Sequence, residues 1–269
     1  GSRCPARSGS SLDVRDLPPA SCVAGVYTMG TKKFPGKKSV ALLLDPDKTG
    51  GRSLQRIIET AVKCKTDYIM TGGSLTFSSI DNLIDSVRKL CSIPVVLFPG
   101  NLLQLSHKAD FILLLSLISG RNPELLIGNH VIAAPYLRDV RQKLISTGYI
   151  LISCGTRTSV EYISQTEAIP SNKPEIVVAT AMAGEMMGLS MIYLEAGSGA
   201  SSHIPLSIIN AVRKNISVPL AVGGGIRNIK EVEAIFNAGA DLIILGNGCE
   251  SNPELLADAC LVRDKITRK

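Results

Sequence analysis

Apolar positions recur along this chain in two alternating modes. Short runs rich in Leu, Ile and Val predict buried strands at Val40–Leu44, Tyr68–Met70, Val95–Phe98, Phe111–Leu115, Tyr149–Ile152, Met191–Leu194, Val218–Val222 and Leu242–Leu245. Between them apolar residues return at helical spacing: Leu54, Ile57, Ile58, Ala61 and Val62 predict a helix over 52–64, and Ile80, Leu83, Ile84 and Val87 one over 79–90. Ile229, Val232, Ile235 and Phe236 predict another, closed by Ala238-Gly239, and a further helix is predicted from Pro174 to Met187. Eight strands alternating with amphipathic helices imply parallel βαβ units, and hence an α/β fold of the modified TIM (β/α)8 barrel type. The stretch Gly100–Asp110 is too short for a full helix, so the third helix is expected to be missing or replaced by a loop. Residues 153–189 form a long connection, polar before its helix.

Residues 1–36 are rich in Gly, Ser, Pro and Arg and carry no sustained period. They are expected to form an N-terminal extension, flexible or partly tag-derived, ahead of a single barrel domain over 37–269. A chain of 269 residues suits that fold, which typically takes about 250. The formal net charge of +6 suggests nucleic acid at first sight, but residues 1–38 carry seven Lys/Arg against two Asp. The rest of the chain, with 22 basic and 21 acidic residues, is nearly neutral, which argues against a nucleic-acid enzyme. The seven cysteines are scattered and show no zinc-ligand spacing, which points to a reduced, cytoplasmic setting rather than a disulfide framework. No apolar run reaches the roughly 18 residues of a membrane span.

In a parallel barrel the chemistry sits at the C-terminal ends of the strands. Two glycine turns there, Val222-Gly223-Gly224-Gly225-Ile226-Arg227 and Leu245-Gly246-Asn247-Gly248, lie one strand–helix unit apart at the end of the chain. Glycines let backbone N–H groups approach an anion closely, so this pair predicts a phosphate site in which a side chain at Gly224 or Gly225 would crowd the anion or be barred by a positive φ. At the end of the sixth strand, alternation puts Tyr193 and Glu195 on one side and Leu194 on the other. If that side is the lumen, a phenol and a carboxylate stand beside the phosphate, able to orient hydroxyls and to take a proton. At the first two strand ends, Asp45 and Asp47 approach Ser74, a donor set of the kind that holds Mg²⁺; the plain alternative for Asp-Pro-Asp-Lys is a solvated turn or helix cap. The apolar residues Phe111–Leu115 are expected in the barrel core, whereas Ile132–Leu137 are candidates to touch an apolar tail or a neighbouring subunit.

The segments Leu-Leu-Asp-Pro-Asp-Lys (43–48), Thr-Gly-Gly-Ser (71–74), Pro-Gly-Asn (99–101), Ser-Gly-Arg-Asn-Pro-Glu-Leu-Leu-Ile-Gly (119–128), Thr-Gly-Tyr-Ile-Leu-Ile (147–152), Tyr-Leu-Glu-Ala-Gly-Ser-Gly-Ala (193–200), Val-Gly-Gly-Gly-Ile-Arg (222–227) and Leu-Gly-Asn-Gly (245–248) occur in this order. Together they resemble the geranylgeranylglyceryl phosphate synthase family, including its bacterial relatives that use a longer prenyl chain. The resemblance spans about residues 37–265, with Ser146 where the family often has proline. It implies a prenyltransferase that joins sn-glycerol 1-phosphate to geranylgeranyl diphosphate as an ether, releasing diphosphate and needing Mg²⁺. By the same resemblance Asp45 and Ser74 would hold the metal. Tyr193, Leu194, Glu195, Ala196, Gly197, Ser198, Gly224, Gly225, Gly246 and Asn247 would hold glycerol phosphate, with Glu195 and Tyr193 in catalytic roles and Asp47 and Lys48 near the diphosphate. It further implies transient access to a membrane-derived prenyl substrate and assembly as a homodimer or homohexamer. The alternatives are the same reaction with a longer prenyl diphosphate, another phosphate-binding barrel such as a sugar-phosphate isomerase or lyase, and a silent carrier of prenyl phosphates.

Overall fold

Eight parallel strands pair in sequence order and close on themselves: β1 (Ser39–Leu44), β2 (Tyr68–Thr71), β3 (Val95–Leu97), β4 (Phe111–Leu117), β5 (Leu144–Ser153), β6 (Met191–Glu195), β7 (Leu220–Gly223) and β8 (Leu242–Leu245), with β8 returning to β1. The computed structural model describes residues 27–29, 32–35, 38–155, 157–246, 248–249 and 252–268. The predicted α/β barrel is therefore the observed fold.

Alternation along each strand divides the core in two. Ala41, Tyr68, Met70, Val96, Phe111, Leu113, Tyr149, Met191 and Tyr193 fill the lumen. Val40, Leu42, Ile69, Val95, Ile112, Ile150, Ile192 and Leu194 point outward against the helices. Those helices are α1 (Gly51–Lys63), α2 (Ile80–Leu90), α3 (Asn129–Leu137), α4 (Ser159–Ser164), α5 (Pro174–Met186), α6 (Leu206–Asn215), α7 (Ile229–Ala238) and α8 (Glu254–Thr267). α2 begins where the Ser79 hydroxyl accepts the Asn82 N–H (3.3 Å) and α7 where Asn228 accepts the Glu231 N–H (3.1 Å). α7 ends at Gly239 in a left-handed conformation, φ 119°.

As the short connection predicted, no α-helix joins β3 to β4; a single tight turn, Leu102–Gln104, stands there. Three features differ from the pattern reading. β5 runs from Leu144 rather than Tyr149, because Thr147 and Gly148 interrupt the apolar run without interrupting the strand. The Thr147 hydroxyl is satisfied by the Ile145 carbonyl at 2.9 Å, and a Cβ at Gly148 would strike Ile118, Leu189 and Ile192. The polar stretch after β5 holds α4, opened by a capping box in which Thr158 and Glu161 satisfy each other's backbone N–H groups. Finally, Tyr27–Met29 and Lys32–Phe34 pair as an antiparallel hairpin, and Phe34 is fully buried. Its ring meets Tyr68 edge-on at 4.7 Å and Phe111 at 5.4 Å, at the start of β2 and β4. Phe34 thus stoppers the barrel at the end opposite the strands' C-termini.

Candidate active site

The mouth of the barrel opens into a cavity of about 650 Å³. Glycines on three strand ends shape one side of it. At Gly224 φ is +82° and at Gly225 +68°, a backbone that residues with side chains rarely adopt. A Cβ on Gly224 would lie 2.5 Å from Glu195 Oε1 and 2.9 Å from the Gly197 nitrogen, so the β6 and β7 turns touch backbone to backbone. At Gly225 the collision is with the Ser202 carbonyl oxygen, 2.1 Å away, and with the His203 nitrogen. The positive φ expected at Gly224 and Gly225 is present, and a side chain at Gly225 would in addition displace the loop after β6. Arg227 ties the same two loops together by donating to the Ala200 carbonyl at 2.9 Å, and it lines the cavity.

Tyr193 and Glu195 both face the lumen, as alternation predicted. The Tyr193 hydroxyl donates a short hydrogen bond to Glu195 Oε2, and the Gly197 N–H donates to Oε1 at 2.7 Å. Burial raises the Glu195 carboxyl above the ordinary carboxylate range, while those two donors pull it back. Burial also pushes both Tyr193 and Tyr149 well above the usual phenol range, reinforced by the Glu195 charge. Tyr193, Tyr149 and Phe98 pack ring against ring at 5.2–5.9 Å, fixing the phenol that holds the carboxylate. Room for the pair comes from Gly223, where a Cβ would sit 2.4 Å from the Tyr193 oxygen.

Across the mouth, Asp45, Lys48, Gly73 and Ser74 line the same cavity, with Lys48 Nζ 3.2 Å from the Asp45 carboxylate. Ser74 is held by an unusually close packing of turns. A Cβ on Gly72 would lie 1.8 Å from the Phe98 oxygen, and one on Gly100 2.1 Å from the Gly73 oxygen. The buried Gln104 amide clamps them, accepting from the Gly100 N–H (3.0 Å) and donating to the Gly73 carbonyl (2.8 Å). Asp47 is elsewhere: its carboxylate accepts the Phe77 and Ser78 N–H groups at 2.9 and 2.7 Å, which lowers its pKa, and it does not line the cavity. Leu194 and Ala196 point into the outer layer, so they bring only backbone to the mouth. Asn247 lies outside the described residues.

Among the described residues no cluster of three or more Cys, His, Asp or Glu forms a protein cage for a metal. One carboxylate and one hydroxyl at the cavity edge do suit Mg²⁺, which takes few protein ligands and completes its octahedron with water and phosphate oxygens. A second, apolar cavity of about 250 Å³ adjoins the first, sharing Ser74, Phe98, Tyr149, Val160 and Ile163 and continuing past Leu102, Leu113, Leu125 and Ala133. Leu113 and Leu115, read as core, thus also wall this groove, together with Ala133 from α3.

A parallel barrel whose mouth combines glycine turns, a buried Tyr–Glu pair, a carboxylate–hydroxyl corner and an adjoining apolar groove has the build of an enzyme with one polar and one apolar compartment. Residues 36–263 match the model of the PcrB family. The chain is 45% identical over 234 residues to a geranylgeranylglyceryl phosphate synthase of Spirosoma linguale, covering 86% of this chain and 94% of that one. It is 46% identical over 228 residues to the synthase of Chitinophaga pinensis, covering 84% and 90%. The crystal structure of (S)-3-O-geranylgeranylglyceryl phosphate synthase from Thermoplasma acidophilum, in complex with its substrate sn-glycerol 1-phosphate, superposes with a TM-score of 0.79 at 30% identity, covering 85% and 94%. The chain belongs to the PcrB family, and with it to the prenyltransferases.

Proposed function

We propose that the chain joins sn-glycerol 1-phosphate to geranylgeranyl diphosphate through an ether bond, with release of diphosphate and with Mg²⁺ required. The observation that carries this reading is the continuity of two unlike cavities, one lined by turn glycines and by Asp45, Lys48 and Glu195, the other apolar, across the junction at Ser74, Phe98 and Tyr149. The glycine turns at 197–199, 224–225 and 246 receive the phosphate of the small substrate, where oriented amides favour an anion. Tyr193 and Glu195 orient the glycerol hydroxyls, and Glu195, raised by burial, accepts the proton of the attacking hydroxyl. Anchoring the phosphate at β7 and β8 fixes that hydroxyl near the reacting carbon, so the step becomes effectively intramolecular. Asp45 and Ser74 would hold Mg²⁺, which when bound supplies charge stabilisation to the departing diphosphate. Lys48 adds a second positive charge at the same corner.

The sugar-phosphate isomerase or lyase alternative loses its ground to family membership, and the silent-carrier alternative is disfavoured by the presence of Asp45 and Glu195. Chain length is settled by incubating the protein with labelled glycerol 1-phosphate and prenyl diphosphates of graded length, with Mg²⁺ or with a chelator. Preferred turnover of the geranylgeranyl substrate, abolished by chelation and restored by Mg²⁺, is expected. Preferred turnover of a longer prenyl diphosphate, or activity indifferent to chelation, would overturn the corresponding part of the proposal.

A further inference from the structure

We propose that the rim built by the β2–α2 and β3–β4 loops is a bilayer-docking surface, which lowers Phe77 and Leu103 among lipid acyl chains beside the open groove. Phe77 is 87% exposed and Leu103 97% exposed, the two most exposed large apolar side chains among the described residues. Neither belongs to a loose tail. The Phe77 and Ser78 N–H groups are held by Asp47, and the Leu103 N–H donates to Asn101 Oδ1 at 2.9 Å. Two ordered turns on adjacent strands therefore present apolar tips outward.

The surrounding chemistry fits a hydrocarbon surface. Residues 72–80 and 98–107 contain no Asp, Glu, Lys or Arg, and the Asp47 carboxylate that holds the Phe77 turn is bonded to two backbone N–H groups, which offsets part of the cost of bringing it to the headgroup–acyl boundary. The rim is continuous with the groove: Leu102 and Leu105, flanking the Leu103 turn, line it, and Leu75, 57% exposed, lines the larger cavity beside it. A tail leaving a bilayer at Leu103 would meet apolar wall without crossing water. This rests on the prenyl reading of the groove. A second copy of the chain is a poorer occupant, since a stable protein interface buries about 800 Å² on each partner over roughly 20–30 residues. A few tips on two loops do not supply that. A bilayer needs only a few inserted side chains.

The test uses the full chain and its Phe77→Gln/Leu103→Gln double variant, whose side chains lie outside both cavities and whose turns are held by backbone bonds that the substitutions keep. Sedimentation with vesicles of phosphatidylcholine and phosphatidylglycerol in equal parts is expected to pull down the wild type. The double variant should lose at least about tenfold in vesicle partitioning while keeping its kcat/KM for a short, water-soluble prenyl diphosphate. Its kcat/KM for a vesicle-embedded geranylgeranyl diphosphate should fall in parallel with binding. Wild-type protein that stays in the supernatant, or a double variant that partitions equally, overturns the proposal. So does a double variant whose only change is a smaller oligomer in sedimentation velocity, which would make the second copy the occupant. Vesicle binding with no turnover of any prenyl diphosphate would instead refute the functional reading and leave the docking surface standing.

Discussion

Gly223 is the position at which one added methyl group should reveal how the site is built. It ends β7, and a Cβ there would sit 2.4 Å from the Tyr193 oxygen, 3.1 Å from Glu195 Oε2 and 3.2 Å from Tyr193 Cε2. To restore ordinary contact at 3.4 Å the phenol must retreat by roughly an ångström. It has little room to do so, being 1% exposed and wedged between the Tyr149 and Phe98 rings at 5.2 and 5.7 Å. Overpacking of this kind costs ~1–3 kcal/mol of stability. Loss of the phenol–carboxylate hydrogen bond removes a further ~1.5–3 kcal/mol from the arrangement that faces substrate. A misplacement of about an ångström in a reacting constellation costs on the order of 10²-fold in rate. Gly223→Ala should therefore lower kcat/KM for glycerol 1-phosphate by about 10²-fold, with a modest fall in Tm, in steady-state assays paired with thermal unfolding. Because the damage is transmitted through the Tyr193 oxygen, adding Gly223→Ala to Tyr193→Phe should cost little more than Tyr193→Phe alone. Additive losses, or a Gly223→Ala enzyme within about threefold of wild type, would refute the reasoning.

Glu195→Gln should lower kcat by about 10²-fold or more, while KM changes little, because the amide keeps the reach but not the basicity. Burial raises the folded pKa of Glu195, so the folded state holds this proton more tightly than the unfolded one; the group favours folding in acid and that contribution is lost as pH rises through the folded value. The acid limb of the kcat/KM profile should accordingly lie above the ordinary carboxylate range and vanish in Glu195→Gln; a purely higher KM with the limb intact would make Glu195 a positioning group only. Asp45→Asn should abolish Mg²⁺-stimulated turnover while glycerol 1-phosphate still binds by calorimetry, since Asp45 ends β1 whereas the 197–199 and 224–225 turns end β6 and β7, with β8 between β7 and β1. Retained metal-dependent activity would remove Asp45 from the metal site.

The parts legible in the sequence were those encoded by local pattern. Strand ends followed by glycines marked the mouth, and the Tyr193-x-Glu195 spacing placed both side chains in the lumen because strand alternation leaves no choice. The missing third helix followed from the length of 100–110 alone. What stayed hidden depends on neighbours remote in the chain. Gly223 reads as one more turn glycine until Tyr193, on the next strand, is seen to need its space. Gln104 reads as a polar loop residue, and only the register of β2 against β3 makes it the clamp behind Ser74. Phe98 carried no signal beyond a strand end; Tyr149 and Arg227 stood inside the motifs 147–152 and 222–227 without a role of their own, although Arg227 directly follows the glycines it stabilises. Phe34, a single apolar residue after a polar, basic stretch, gave no period by which to assign it to the core. α4 did have a signal, the Thr158-to-Glu161 capping box, masked by the polarity around it.

On the reading proposed above, one chain holds a small phosphate in glycine-lined turns and the tail of a prenyl diphosphate in the adjoining groove, and joins the two. Mass spectrometry of the product formed from sn-glycerol 1-phosphate, geranylgeranyl diphosphate and Mg²⁺ tests it most directly. The expected product is a single ether-linked geranylgeranylglyceryl phosphate, equimolar with diphosphate released, with far less formed from sn-glycerol 3-phosphate. Free prenyl alcohol with no ether product, or no diphosphate release at all, would contradict it.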